Sequence, residues 1–132
     1  MKDEIIEIAG TLIIENRELL LLFRPDEGHW EIPGGKVESG ESATEAAVRE
    51  TKEEIGVEVA LDKPFYSGEF QHDESLFLWH GYLASIKDGR PEVQEERFEE
   101  LDWFSYEDLP EDLAPNLRMI KSGLRNLLSK DH

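Results

Sequence analysis

The stretch that decides the reading runs from Gly34 to Val57, GGKVESGESATEAAVRETKEEIGV. Two adjacent glycines open it, and Gly40 precedes Ser42-Ala43-Thr44-Glu45, a capping-box pattern with Ser42 as N-cap and Glu45 reaching back. The helix that starts there is predicted to run to Ile55 and to stop at Gly56. On a wheel of about 100° per residue, Ala47, Val48, Thr51 and Ile55 share one arc, the stripe expected to face the core. Glu50, Glu53 and Glu54 share another, spaced i, i+3 and i+4. Carboxylates this close repel, at about 0.2–0.5 kcal/mol per pair on an exposed helix. Two readings are open: a solvated acidic face, or a set of oxygen ligands for a hard cation such as Mg²⁺ or Mn²⁺. What precedes the helix favours the second. The glycines let a loop fold tightly and present carbonyl oxygens beside it, and Glu41 and Arg49 add a further carboxylate and a compensating cation.

Outward from this segment the chain reads as alternating strands and turns. Ile5 to Ile14 is rich in β-branched residues, Glu15 to Glu18 is polar enough to turn, and Leu19 to Arg24 is the returning strand of a hairpin. Trp30-Glu31-Ile32 is a short strand, and Pro33-Gly34-Gly35 is expected to break regular structure. Val57 to Phe70 and Leu76 to Ile86 read as two strands joined by a polar turn, and another strand runs through Trp103. Pro115 to Leu128 has the apolar spacing of a single closing helix. The fold class expected is α/β, a mixed sheet with helices packed on it. No repeat, low-complexity tract or linker divides residues 1–132, which read as a single domain.

Charge narrows the function. Fourteen Lys and Arg stand against 31 Asp and Glu, a formal net charge of −17. Such a field repels nucleic-acid backbones and anionic membranes, and it repels a phosphorylated substrate too unless divalent cations lie between. There is no cysteine, which excludes disulfides, thiolate metal sites and cysteine nucleophiles. The longest apolar run, Leu19 to Phe23, is far short of a membrane span, and Met1 to Glu4 carries no signal-peptide pattern. The chain is expected to be soluble and cytoplasmic.

The decisive segment resembles the signature of the Nudix hydrolase family, G-x5-E-x7-R-E-U-x-E-E-x-G-U, with U a bulky aliphatic residue. Here it reads Gly35, Glu41, Arg49-Glu50-Thr51-Lys52-Glu53-Glu54-Ile55-Gly56-Val57, with both gaps at the required length over 23 residues. The lone departure is Thr51 at a U position, on the apolar stripe, where its methyl can pack and its hydroxyl can bond back to the preceding turn. The hairpin before the segment, and Trp103 with Leu109-Pro110 after it, are also similar to the family.

The resemblance implies an α/β/α sandwich and hydrolysis of a pyrophosphate bond in a nucleoside diphosphate linked to another group, with Mg²⁺ or Mn²⁺ as cofactor. Carried over by position, Glu53 and Glu54 are metal ligands with the Gly34 carbonyl, Glu50 is a ligand or the general base, and Arg49 pairs with Glu41. The family places a further acidic ligand about six residues before the tryptophan. That position holds Arg97, so the ligand expected here is Glu96, with Glu95 the alternative. Arg24 and Lys36 are candidate phosphate contacts. Asn116, at a helix start, is either a purine-reading residue, as in MutT-like enzymes, or an ordinary cap. Phe77 and Trp79 are read as core packing in preference to base stacking. His29, His72, His80 and His132 have no spacing that demands a metal and are read as incidental.

The family's downstream markers for ADP-ribose and for dinucleoside polyphosphates fall on Asp73 and Glu74, so neither is present. The activity expected is that of a MutT-like (d)NTP pyrophosphohydrolase releasing NMP and pyrophosphate. An ADP-ribose or nucleotide-sugar pyrophosphatase and a silent nucleotide-binding module are the alternatives. The partner is a small-molecule nucleotide, not nucleic acid or membrane, and the protein is a monomer or a homodimer.

Overall fold

Strands β1 (Ile5–Glu15) and β2 (Glu18–Arg24) form the expected hairpin, pairing Ile14 with Leu19 and Glu15 with Glu18. Only Asn16 and Arg17 make the turn, at φ 51° and 64°, the left-handed pair that a tight two-residue hairpin needs. The structure is a computed structural model that describes residues 4–129, so His132 and the first three residues lie outside the described region.

β1 is the central strand. Strand β6 (Ser75–Asp88) runs parallel to it in register from Ile5↔Leu76 to Ile13↔Ala84. Strand β4 (Gly34–Lys36) lies antiparallel on its other side, and strand β5 (Glu58–His72) pairs antiparallel with β6. Strand β2 carries β3 (His29–Glu31) and β7 (Glu100–Phe104). Together they make a mixed sheet of seven strands.

Both faces of the hairpin are apolar, and the period-two alternation divides it between two cores. Leu12, Leu19 and Leu21 join the core beneath helices α2 (Pro115–Met119) and α3 (Lys121–Leu128). Ile13, Leu20 and Leu22 join the one that receives Ile55 from helix α1 (Ala43–Ile55). The sheet is therefore covered on both sides, the expected α/β/α sandwich.

Helix α1 begins and ends as its sequence dictates. The Ser42 side chain accepts from the Glu45 N–H at 3.1 Å while the Ser42 N–H donates to the Glu45 carboxylate at 2.9 Å. Gly56 closes the helix at φ 75°, its N–H bonded to the Lys52 carbonyl.

Two sequence expectations are corrected. Gly34 and Gly35 do not interrupt regular structure but form β4, which crosses β1 so closely that a Cβ on Gly34 would sit 2.5 Å from the Ala9 oxygen. A glycine pair that reads as a break in isolation is here the condition for two backbones to meet. The closing helix is not continuous either. At Ile120 (φ −108°, ψ 12°) the chain leaves α geometry and its N–H bonds the Leu117 carbonyl, and this tightened turn still delivers Leu117, Ile120 and Leu124 to one core.

Thr51, the departure from the apolar pattern, is fully buried. Its hydroxyl donates to the Ala47 carbonyl at 2.7 Å and, with that proton committed, accepts from Thr11 on β1 at 2.9 Å. The helix thus touches the sheet through a matched polar pair. Thr51→Val should destabilise the protein by about 1–3 kcal/mol, the cost of stranding a buried hydroxyl. The double variant Thr11→Val/Thr51→Val should recover much of that loss, and urea unfolding of all four proteins measures both.

Candidate active site

The two glycines of β4 lie against helix α1, and that contact organises the acidic arc. The Gly34 N–H donates to Glu54 Oε1 at 3.0 Å. A Cβ on Gly35 would fall 2.6 and 2.7 Å from the two oxygens of Glu50, so no other residue fits there without moving that carboxylate. Glu54 is wholly buried and the Glu50 side chain nearly so, at 13% exposure. The solvated-face reading therefore fails for both; Glu53, with its side chain half exposed, is the one member of the arc that keeps contact with water.

Arg49 ties the arc to the loop before it. Its Nε and Nη2 donate to the two Glu41 oxygens at 2.6 and 2.9 Å, a bidentate pair. Nη1 reaches Glu50 at 3.0 Å and Glu53 at 3.2 Å, and Nη2 also bonds the Lys36 carbonyl at 3.0 Å. The Glu41 carboxyl is held down to about 2, chiefly by the hydrogen bond from Arg49. The expected pairing of these two residues is thus present, with Lys36 fixed through its backbone.

Glu54 is in the opposite condition. Burial pushes its carboxyl upward, against the opposing pull of the Gly34 N–H and Arg97, and the nearby Glu50 and Glu31 charges raise it further. A buried carboxyl in such surroundings gains most from a strong positive charge brought to it. The donors present are carboxylate oxygens on one helix face and a glycine strand at van der Waals distance. Such a set suits a hard divalent ion, so the residues present fit Mg²⁺ or Mn²⁺.

Beside this arrangement opens a cleft of about 590 Å³. Gly34, Gly35 and Glu50 form one side of it, and Arg24, Lys36 and Arg97 bring cations to its walls. Arg24 is bonded to Asp26 at 3.1 Å and stands 3.9 Å from Glu31. Phe77 stacks on Phe70 with centroids 5.2 Å apart, and both line the cleft. Trp79 is core, 1% exposed and against Tyr66, as the sequence reading preferred; Phe77 is not.

Asn116 lines the cleft and is almost buried. It is no helix cap: Ala114 holds that position and Pro115 follows it. The segment is anchored by Trp30, whose N–H bonds the Asp112 carbonyl at 2.7 Å and whose carbonyl accepts from Ala114 at 2.9 Å. The two candidates in the downstream acidic run differ in their surroundings. Glu95 bonds Arg97 at 3.0 Å, and Arg97 reaches Glu54 at 2.5 Å. The Glu96 side chain is exposed and makes no hydrogen bond or ion pair among the described residues.

Five cleft residues were not legible as site residues: Glu31, Arg97, His29, His72 and Phe70. The structure brings two of the four histidines to the cleft. His29 bonds Glu31 at 2.7 Å, and His72 bonds Glu27 at 3.1 Å and lies 3.3 Å from Asp73. Glu31 carries a local signal, since it lies three residues before Gly34. His72 has none, because the β5–β6 turn meets the β2–β3 loop only in the folded chain. His80 is bonded to Ser67 and Glu7, outside the cleft.

Comparison with known proteins agrees with this geometry. The NUDIX domain model matches residues 7–123. The CTP pyrophosphohydrolase of Escherichia coli (strain K12) is 33% identical over 117 residues, 85% of this chain and 85% of its own length. The 8-oxo-dGTP diphosphatase of the same organism is 33% identical over 88 residues, 63% of this chain and 67% of its own. Among solved structures, the MutT NUDIX hydrolase from Burkholderia pseudomallei superposes with a TM-score of 0.82 at 30% identity, over 91% of this chain and 98% of that one.

The fold and site define a metal-fitting α/β/α hydrolase. The chain belongs to the Nudix hydrolase family, and its activity is that of a Nudix pyrophosphohydrolase. No helix among the described residues is long and apolar enough to cross a membrane.

The lowered Glu41 value sets a pH dependence. Below its ordinary value of 4.5 the unfolded chain takes up a proton that the folded state, held at about 2 by Arg49, does not, so stability falls as pH drops from about 4.5 to about 2. Melting temperatures measured across that window should decline as the pH is lowered. Glu41→Gln should flatten the decline.

Proposed function

We propose that this protein is a Mg²⁺- or Mn²⁺-dependent (d)NTP pyrophosphohydrolase of MutT-like type, releasing a nucleoside monophosphate and pyrophosphate. One observation carries the reading: the Glu50 and Glu54 carboxylates are held against a two-glycine strand that leaves no room for a side chain, at the edge of a cleft wide enough for a nucleotide. The named activities of the relatives, CTP pyrophosphohydrolase and 8-oxo-dGTP diphosphatase, support a nucleoside triphosphate as substrate.

The oxygen set assigned to the metal is Glu53 and Glu54 with the Gly34 carbonyl and Glu50; Glu95 is engaged by Arg97, which leaves Glu96 as the downstream member. A bound divalent ion would polarise phosphoryl oxygens and acidify an attacking water. The chain's own residues do the rest. Arg49 aligns the Glu50 and Glu53 carboxylates, while its grip on Glu41 fixes the loop to the helix. Arg24 and Lys36 are assigned to the outer phosphates, where they offset part of the −17 net charge that otherwise repels the substrate. The Phe70–Phe77 pair offers an apolar wall for a base, and the Asn116 amide offers the donor and acceptor needed to read its edge. The protein is read as a single cytoplasmic domain acting on free nucleotides.

A panel of ribo- and deoxyribonucleoside triphosphates, oxidised purines, ADP-ribose and nucleotide sugars tests this, with Mg²⁺ or Mn²⁺ and pyrophosphate and phosphate release as readouts. Triphosphates should be cleaved to monophosphate and pyrophosphate, and a chelator should abolish turnover. Glu53→Gln and Glu54→Gln should each lower kcat by about a hundredfold or more, with the far-UV CD spectrum unchanged. Asn116→Ala should raise KM for one base selectively and leave kcat near its parental value. Cleavage confined to ADP-ribose or sugar nucleotides would overturn the substrate assignment.

A further inference from the structure

Arg97 is the one cation in contact with Glu54 among the described residues. Glu54 is fully buried and its two oxygens are met by two donors, the Gly34 N–H and the Arg97 guanidinium. The backbone beneath Arg97 is fixed. Gln94 and Glu92 donate to the carbonyls of Glu54 and Ile55 at 2.8 and 3.0 Å, Glu99 donates to Phe23 at 2.9 Å, and Phe98 is buried in the core.

The side chain is not so confined. It is 39% exposed, lines the cleft, is tethered by its Nε to Glu95 at 3.0 Å, and lies over the Phe98 ring at 4.8 Å. A fixed turn thus presents a partly exposed guanidinium to a buried carboxylate from the cleft side.

We propose that Arg97 is a built-in counter-cation for Glu54, a positioning residue that holds the carboxylate in the metal-free protein and gives it up when a divalent ion enters. The inference rests on Glu54 being a metal ligand, as proposed above. Two positive groups compete for one carboxylate, so the metal alone binds weakly. Once displaced, the guanidinium remains at the cleft wall on its Glu95 tether, where the phosphates of a bound nucleotide give it a new partner. Metal and nucleotide therefore bind with positive coupling, each strengthening the other.

The test is a Mn²⁺ titration followed by the EPR signal of the free ion, on the full chain, with and without a methylene-bridged, non-cleavable nucleoside triphosphate. Without nucleotide, Arg97→Gln should bind Mn²⁺ about tenfold more tightly than the parent, and Arg97→Lys, which keeps the charge, should stay close to the parent. The analogue should strengthen Mn²⁺ binding more in the parent than in Arg97→Gln. Equal or weaker Mn²⁺ affinity in Arg97→Gln overturns the proposal, provided that Glu54→Gln weakens binding. Undiminished binding by Glu54→Gln overturns the ligand assignment itself, so the two failures are distinct. A measurement on the unaltered protein guards against a variant that does not fold. With ¹⁵N-labelled arginine, rotation of the Arg97 guanidinium should be hindered in the metal-free protein and released on saturation with Mg²⁺; unchanged rotation overturns the proposal.

Discussion

The close approach of strand β4 to helix α1 is the constraint on which the rest depends. Gly34 and Gly35 have no side chains, so β4 can lie against β1 on one side and the helix on the other. That contact buries Glu54 under a backbone N–H and presses Glu50 against Gly35. A larger residue at either glycine would separate the layers and release both carboxylates into water, where they would be ordinary surface acids. The catalytic potential of the arc is thus a product of backbone packing rather than of the carboxylates alone.

Electrostatics follow from that packing. Two helix carboxylates, Glu50 and Glu53, and Glu41 crowd one arginine while Glu54 is left to another, and the result is a divided site. The Arg49 side is satisfied, with Glu41 well below the usual carboxylate range. The Glu54 side is under-compensated, with burial outweighing its two donors. A site so divided keeps its outer part rigid while its inner part has a demand for positive charge. The protein's large negative charge extends the same logic to the substrate, since a polyphosphate meets a repulsive field everywhere except where cations have been gathered.

Much of this was legible along the chain. The capping box at Ser42, the Gly56 stop, the hairpin and the Glu41–Arg49 pairing are set by residues close in sequence or by a fixed-gap signature, and the structure has each of them. Reading failed where a local pattern had two physical outcomes. Gly34-Gly35 signalled a break because glycine lacks strand propensity, but a neighbouring backbone rewarded the absence of a Cβ. Pro115 to Leu128 signalled one helix because its apolar spacing is continuous, yet the core is better reached through the tightened turn at Ile120. The bond of Thr51 back to the preceding turn was legible and is present, but its second partner Thr11 lies 40 residues away.

By itself, the sequence determined the two-sided apolar strands, the helix boundaries, the acidic arc and the family, because each is fixed by residue type and spacing within a single segment. Only the tertiary structure decided which of those acids are buried, that Arg97 meets Glu54 across 43 residues of chain, and that His29, His72 and Phe70 share a cleft with Asn116. The reason is physical: burial and charge pairing depend on which surfaces the sheet brings together, and no local spacing carries that information.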